Sequence, residues 1–246
     1  MHKTSEKVAI VTGSSKGIGR SIAMQLASAG TKVVINYLTN RVVAERVVEE
    51  IEQTGGEAIA IRANVGKVAE VESLFKETIV HFGRVDVLVN NAGIMLTKPF
   101  LEITEDEYDR QMDVNVKGTF FAAQQAARHM REGGRIINFS TSVTRQMFPT
   151  YSAYAATKGA VEQITRQLAK ELGPKGITIN AIAPGPVNTD LFTEGKTQEQ
   201  IAAVGKANAF GRIGEPKDIA DVVLFLASEA SQWVTGQTIF VNGGFI

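Results

Sequence analysis

Residues 151–158 read Y-S-A-Y-A-A-T-K, which sets Tyr154 and Lys158 four positions apart. On a helix, positions i and i+4 are neighbours on one face. A phenol beside an ammonium is a pair that could move a proton, and Ala153, Ala155 and Ala156 leave the face open. Taken alone, Y-x-x-x-K far more often describes a packed tyrosine beside a surface lysine, so a chemical meaning depends on context. Tyr151 is the poorer partner, because the residue four on from it is Ala155.

A second chemical signature lies near the N-terminus. The first β-rich run leads straight into T-G-S-S-K-G-I-G, residues Thr12 to Gly19, and then into a helical pattern. Gly13 permits a tight turn, Gly17 lets backbone approach a ligand, and Gly19 allows close helix–strand packing. Ser14, Ser15, Lys16 and Ile18 complete the loop. The helix N-terminus behind it offers N–H groups and a positive dipole end to a pyrophosphate. Placed directly after a first strand, such a loop points to a dinucleotide.

Composition removes other chemistries. The chain has 246 residues and no cysteine, which excludes disulfides, thiolate metal sites and cysteine nucleophiles. His2, His81 and His129 are scattered, so no metal site is expected. Basic and acidic residues balance at 26 each, giving no electrostatic case for nucleic acid or an anionic membrane. The opening M-H-K-T-S-E-K lacks a signal-peptide apolar core, and no apolar run is long enough to span a membrane. A cytoplasmic protein is expected.

The elements that must position these residues alternate along the chain. Strand patterns occupy 8–12, 32–37, 58–62, 85–90, 135–140, 178–183 and 238–241, mostly continuous Val- and Ile-rich runs suited to a parallel sheet buried on both faces. Helical patterns occupy 19–29, 42–53, 68–82, 113–131, 154–172 and 216–228, several ending at a glycine such as Gly30, Gly55 or Gly83. Alternation of this kind predicts an α/β Rossmann fold, a doubly wound sheet of seven parallel strands with helices on both faces. No linker or composition shift divides the chain. One domain over 1–246 is expected, with a functional insertion at about 186–214.

Four further stretches fall in order behind the glycine loop: N-N-A-G at 90–93, Asn115, Y-A-A-T-K at 154–158 and P-G-P-V-N-T at 184–189, with V-N-G-G at 241–244 near the end. With them the chain resembles the short-chain dehydrogenase/reductase family over essentially its whole length. The branch it is most similar to contains trihydroxynaphthalene-reductase-like and 3-oxoacyl-carrier-protein-reductase-like enzymes. The resemblance implies hydride transfer between a nicotinamide cofactor and a ketone, 3-oxoacyl or related carbonyl. In that reading Tyr154 is the general acid. Lys158, with the positive charge of an oxidised nicotinamide, should pull its pKa towards neutrality. Lys158 should also bind the nicotinamide ribose, and Asn115 should support a water that relays protons. An oxidative alcohol or sugar dehydrogenase is the competing reading, and a non-catalytic NADP-binding redox sensor a third.

A substrate-orienting hydroxyl is also implied. The family's usual spacing to the tyrosine lands on Thr141, while Ser142 is the conventional residue type one position later. Neighbours in an extended segment point to opposite sides, so one of the two should serve. Register favours Thr141.

For the cofactor, the second strand ends I-N-Y-L-T-N-R, with Asn36 and Tyr37 where an NAD-binding acid would stand. Lys16 adds a cation close by, and Asn36, Thr39 and Asn40 could add neutral hydrogen bonds. A missing carboxylate and an added cation point to NADP(H). By resemblance, Asn64 and Val65 should flank the adenine. Asn91, Ala92 and Gly93 should let the cofactor approach the fourth strand. Val187 and Thr189, in the motif that Pro184 and Gly185 open, should hold the nicotinamide carboxamide.

Substrate contacts should come from 144–150 and from the insertion, where Met147, Phe148, Leu191, Phe192 and Phe210 form an apolar lining. Arg145, Lys196 and Lys206 could meet a distal acidic group. The family's habit of pairing helices and last strands implies a homotetramer, with Val116, Phe120, Ala123 and Ala127 along one interface stripe.

Overall fold

A computed structural model describes residues 7–246; the histidine at position 2 and most of the polar N-terminal stretch lie outside them. Seven strands form one parallel sheet in the order β3-β2-β1-β4-β5-β6-β7. They are β1 (Val8–Val11), β2 (Lys32–Tyr37), β3 (Ala58–Arg62), β4 (Val87–Asn90), β5 (Arg135–Phe139), β6 (Thr178–Pro184) and β7 (Thr238–Val241). The fourth strand starts two residues later than its apolar pattern suggests, because Val85 is buried in the approach to the sheet.

Period-two alternation sorts the strand residues onto two faces. Val33 and Ile35 join the core beneath α1 (Gly17–Ser28), α2 (Arg41–Gln53) and α9 (Pro216–Ala227), with Ile22, Leu26, Ile51 and Val223. Ile10, Val34 and Leu88 face the other way, onto α3 (Val68–Phe82), α5 (Gly118–His129) and α6 (Ser152–Leu172), through Leu74, Phe75, Ala122 and Leu172. Each fully buried Leu, Ile or Phe contributes about 1.5–3 kcal/mol.

The helix expected over 113–131 is not continuous. A separate helix, α4 (Glu105–Met112), precedes it, started by a capping box in which Thr104 and Glu107 satisfy each other's backbone N–H. Between α4 and α5 lies one π-helical turn, Asp113–Lys117, closed by the Gly118 N–H on the Asp113 carbonyl. Such turns widen a helix locally and are frequent at functional sites. The 186–214 insertion carries α7 (Asp190–Thr193) and α8 (Gln198–Lys206), the latter also started by a capping box, Thr197 with Gln200.

Chain order reverses between β1 and β4, and ligands of open α/β sheets bind beyond the carboxyl ends of strands at such a point. Among the described residues, no helix is long and apolar enough to cross a membrane, and no group of three His, Asp or Glu could hold a metal.

Candidate active site

Beyond β1 the chain turns at Gly13 (φ 61°) into α1. A Cβ on Gly19 would come within 2.5 Å of both the Gly13 carbonyl oxygen and the Asn91 amide nitrogen, so only glycine fits there. Asn91 Nδ2 donates to the carbonyls of Thr12 (2.8 Å) and Gly13 (3.0 Å), and the Thr12 hydroxyl accepts the Ala92 N–H at 3.0 Å. The loop after β4 is thereby stitched to the glycine loop.

Other polar side chains at this cradle face inward. The Ser14 hydroxyl donates to the Val11 carbonyl at 2.7 Å. Asn36, expected as a phosphate contact, is 2% exposed. Its Oδ1 accepts the Gly13 N–H at 3.1 Å while Nδ2 donates to the carbonyls of Ile61 (3.3 Å) and Ala63 (3.2 Å). Ser14, Asn36 and Asn91 therefore hold the cradle's shape instead of reaching into it, because each side chain is committed to backbone inside the protein. Tyr37 is likewise buried in the core. Ser15, Gly17 and Ile18 are half-buried at the rim, while Thr39 and Asn40, at the start of α2, are exposed.

Lys16 occupies the N-cap of α1 and reaches the Asp190 carboxylate at 3.4 Å, both side chains about three-quarters exposed (73% and 74%). That links the glycine loop to α7. Asn64 Oδ1 accepts the Gly66 N–H at 3.0 Å, and Val65 packs under Gly118, where a Cβ would meet its carbonyl at 2.9 Å.

Past β4, Gly93 faces Asn115 and Lys158. A Cβ there would lie 3.3 Å from Asn115 Oδ1 and 3.4 Å from Lys158 Nζ. Asn115, within the π turn, is fully buried. Its Oδ1 accepts the Ile94 N–H (2.9 Å), while Nδ2 donates to the Ile94 carbonyl (2.9 Å) and to the Thr157 hydroxyl (3.0 Å). This amide ties the π turn to both the β4 loop and α6. Thr157, unmarked by any sequence motif except its place in Y-A-A-T-K, is the partner that closes the network.

Tyr154 and Lys158 are both buried, 8% and 5% exposed, with the ammonium 5.9 Å from the centre of the phenol ring. Lys158 Nζ donates to the Phe139 carbonyl at 2.8 Å. Burial pushes the lysine down to about 8. Burial pushes the phenol up to about 12, and a hydrogen bond with the Thr141 side chain draws it back only in part. Among the protein's own groups, loss of solvent is thus the largest influence on the phenol. The phenol stays neutral, which is the form that can give a proton.

Thr141 and Ser142 diverge as strand alternation requires. Thr141, whose hydroxyl accepts the Val143 N–H at 3.4 Å, lies against Tyr154, whereas Ser142 turns towards β6, donating to the Ala183 carbonyl at 3.4 Å and accepting from Asn242 Nδ2 at 3.2 Å. Asn242 belongs to V-N-G-G, a stretch whose sequence signals an ending and not a contact with the β5 loop. Gln146 Nε2 adds a second tie, to the Phe245 carbonyl at 3.4 Å.

After β6, the Gly185 N–H donates to the Val241 carbonyl at 3.1 Å, and the Gly214 N–H to the Pro186 carbonyl at 2.9 Å. Val187 is buried, and Thr189 stands at the N-terminal end of α7, its hydroxyl donating to the Val187 carbonyl at 3.4 Å and its methyl 3.5 Å from where a Cβ on Gly17 would lie. A ladder of rings leads to the phenol: Phe148 to Tyr151 at 5.7 Å and Tyr151 to Tyr154 at 6.3 Å. Met147, Leu191 and Phe210 are exposed. Arg145 and Lys196 lie over the rings of Phe240 and Phe192 at 5.6 and 4.6 Å.

Comparison with known proteins agrees with this geometry. A family model described as enoyl-(acyl carrier protein) reductase matches residues 13–246. The hydroxynaphthalene reductase-like protein Arp2 of Metarhizium robertsii is 44% identical over 254 aligned residues, 98% of this chain and 95% of that protein. Versicolorin reductase 1 of Aspergillus parasiticus is 42% identical, over 99% of this chain and 97% of its own. Among solved structures, the landomycin C-6 ketoreductase LanV with bound NADP and rabelomycin is 40% identical with a TM-score of 0.88, covering 97% of this chain and 96% of that one.

Proposed function

Since the chain belongs to the short-chain dehydrogenase/reductase family of oxidoreductases, we propose that it reduces a ketone carbonyl to an alcohol with NADPH. The observation that carries the reading is the neutral, buried phenol of Tyr154, beside Thr141 and set one helical turn from Lys158. A carbonyl placed against this wall meets a hydroxyl donor and a proton donor together.

Three features of the cleft support NADPH. The crowded contact at Gly19 brings α1 close behind the glycine loop, so its first N–H groups face the cleft. No carboxylate stands at the end of β2, and Lys16, Thr39 and Asn40, which could meet a 2′-phosphate, are exposed. When bound, this cofactor supplies the hydride. Thr141 orients the carbonyl oxygen, and Tyr154 delivers its proton to the developing alkoxide. Lys158 neutralises the phenolate left behind, while Asn115 holds the π turn that lines this pocket.

The substrate is an apolar, ring-bearing ketone. The aromatic ladder from Phe148 to Tyr154 and the exposed Met147 and Phe210 support that class. The names of the relatives, a hydroxynaphthalene reductase-like protein, a versicolorin reductase and a landomycin C-6 ketoreductase, agree with a ketone of this kind. Residues 1–246 act as one catalytic unit, in the cytoplasm, as a homotetramer.

Loss of NADPH absorbance with a panel of fused-ring and aliphatic ketones tests the reading. Turnover should be greatest with the fused-ring ketones. Tyr154→Phe should lower it by about 10²- to 10⁴-fold, as for a lost general acid, and Tyr151→Phe far less. Two equally harmless substitutions would defeat the assignment.

A further inference from the structure

On α6, Glu162 follows Lys158 by four residues and Tyr154 by eight, so the three share one side of the helix. Glu162 Oε1 accepts two hydroxyl donors at 2.7 Å each, from Ser140 and from Thr144. Those residues bracket Thr141. Bonds of this length from hydroxyl to carboxylate belong to the stronger, charge-assisted class. We propose that Glu162 is a positioning residue for the Thr141 hydroxyl, an inference that rests on the catalytic reading above.

The physical reason lies in how β5 ends. Beyond Phe139 the chain leaves the sheet as S-T-S-V-T and makes a short tight turn, Ser142–Arg145. Four of its five residues carry hydroxyls, and three are tied down within the protein: Ser140 and Thr144 to Glu162, and Ser142 to β6 and Asn242. The Thr144 hydroxyl also lies 2.9 Å from the Thr141 carbonyl. The remaining hydroxyl, on Thr141, accepts the Val143 N–H at 3.4 Å and is the one that lies against Tyr154, whose phenol it draws down.

A loop held only at its ends would let Thr141 wander by the ångström that costs an enzyme about 10²-fold. Glu162 removes that freedom from the helix that carries the phenol. A small movement of α6 therefore carries phenol and hydroxyl together. The two bonds are made by one carboxylate oxygen, so an amide oxygen at the same place can replace it, and an alkyl group cannot.

The test compares Glu162→Leu and Glu162→Gln in the wild-type and Thr141→Val backgrounds, using a fused-ring ketone with NADPH. Glu162→Leu should lower kcat by about 10- to 100-fold, with NADPH affinity, read by fluorescence titration, unchanged. Glu162→Gln should restore kcat to within about threefold. In the Thr141→Val background Glu162→Leu should change kcat by less than about twofold, since coupled sites are not additive. Equal losses in both backgrounds would overturn the proposal, as would a Gln variant no better than Leu. If Glu162→Leu fails to fold, Ser140→Ala with Thr144→Val removes the same bonds from the other side; unchanged kcat there would equally overturn it. Wild-type protein inert towards every ketone would bring down the catalytic reading itself, whereas active wild type with an equally active Glu162→Leu would bring down this inference alone.

Discussion

The Lys158 ammonium donates at 2.8 Å to the main-chain carbonyl of Phe139, the last residue of β5, so the strand end anchors the buried cation. Burial lowers this lysine from its ordinary 10.5 to about 8. Below about pH 8 it is charged in the folded and unfolded chains alike, and its burial then costs stability in full. Between about pH 8 and 10.5 the unfolded chain holds the proton more tightly, so that cost is relieved as pH rises. At about 1.36 kcal/mol per pH unit the full cost is roughly 3 kcal/mol. The bond to Phe139, about 1.5–3 kcal/mol with a charged partner, offsets much of it. Lys158→Met should abolish turnover yet be about 1 kcal/mol more stable at pH 7. Urea unfolding at pH 7, 9 and 10 should show that advantage shrinking. A gap that widens with pH contradicts the account.

The divergence of Thr141 and Ser142 separates two substitutions that the sequence alone leaves side by side. Thr141→Val removes the hydroxyl that lies against Tyr154 and should lower kcat by about 10²-fold, in the range for one lost donor to a developing oxyanion. Ser142→Ala removes bonds to Ala183 and Asn242 and should act chiefly on thermal stability, by about 1 kcal/mol. Steady-state kinetics and melting curves on the two variants decide it. The reverse ranking in kcat would move the role to Ser142.

Lys16 is paired, but weakly. An exposed ion pair such as that with Asp190 is worth about 0–1 kcal/mol, so a phosphate can compete for the ammonium. Asp190→Asn should therefore tighten NADPH by up to about fivefold, by releasing Lys16, and leave NADH unchanged. Lys16→Ala should weaken NADPH more than NADH. Titrations with both cofactors check this, and turnover by the wild type that is faster with NADH would refute the preference for NADPH.

The sheet and the cradle were legible because their signals are local. Continuous runs of Val, Ile and other apolar residues mark β1, β2 and β4, and glycines at forced contacts, such as Gly19, mark the loop. Two features escaped because they depend on long-range partners. Asn36 reads as a free amide at a strand end, yet its task is to bind Gly13, Ile61 and Ala63, residues that only the folded sheet brings together. The π turn at Asn115 has no periodicity of its own, and a helical pattern runs through it unbroken. By contrast, α4 carried a readable signal in T-E-D-E, the capping box, which the apolar pattern of its neighbour overshadowed. The phenol's elevated pKa follows from burial, a quantity that spacing along a helix does not report.

The last prediction concerns assembly. Of the stripe expected on α5, Ala123 is 1% exposed and belongs to the subunit's own core, so it is withdrawn from the interface. Phe120 is 40% exposed, and close in sequence Phe100 and Leu101 stand 76% and 93% exposed, with Tyr108 at 44%. Phe100 and Tyr108 line a groove of about 440 Å³ whose other wall is Ser152, Ala153 and Ala156, the first turns of the helix bearing Tyr154. A large apolar patch beside a catalytic helix suits a two-fold contact, because a symmetric partner offers the same patch in return. The second contact would use β7, an edge strand whose four residues are all half-buried, and Ile246, which is 46% exposed. Light scattering at micromolar concentration should report a mass near four chains. Phe120→Asp, which places a charge on the first face, should give dimers held by the β7 contact. A monodisperse wild-type monomer would refute both interfaces, and a Phe120→Asp variant that remains tetrameric would refute the first.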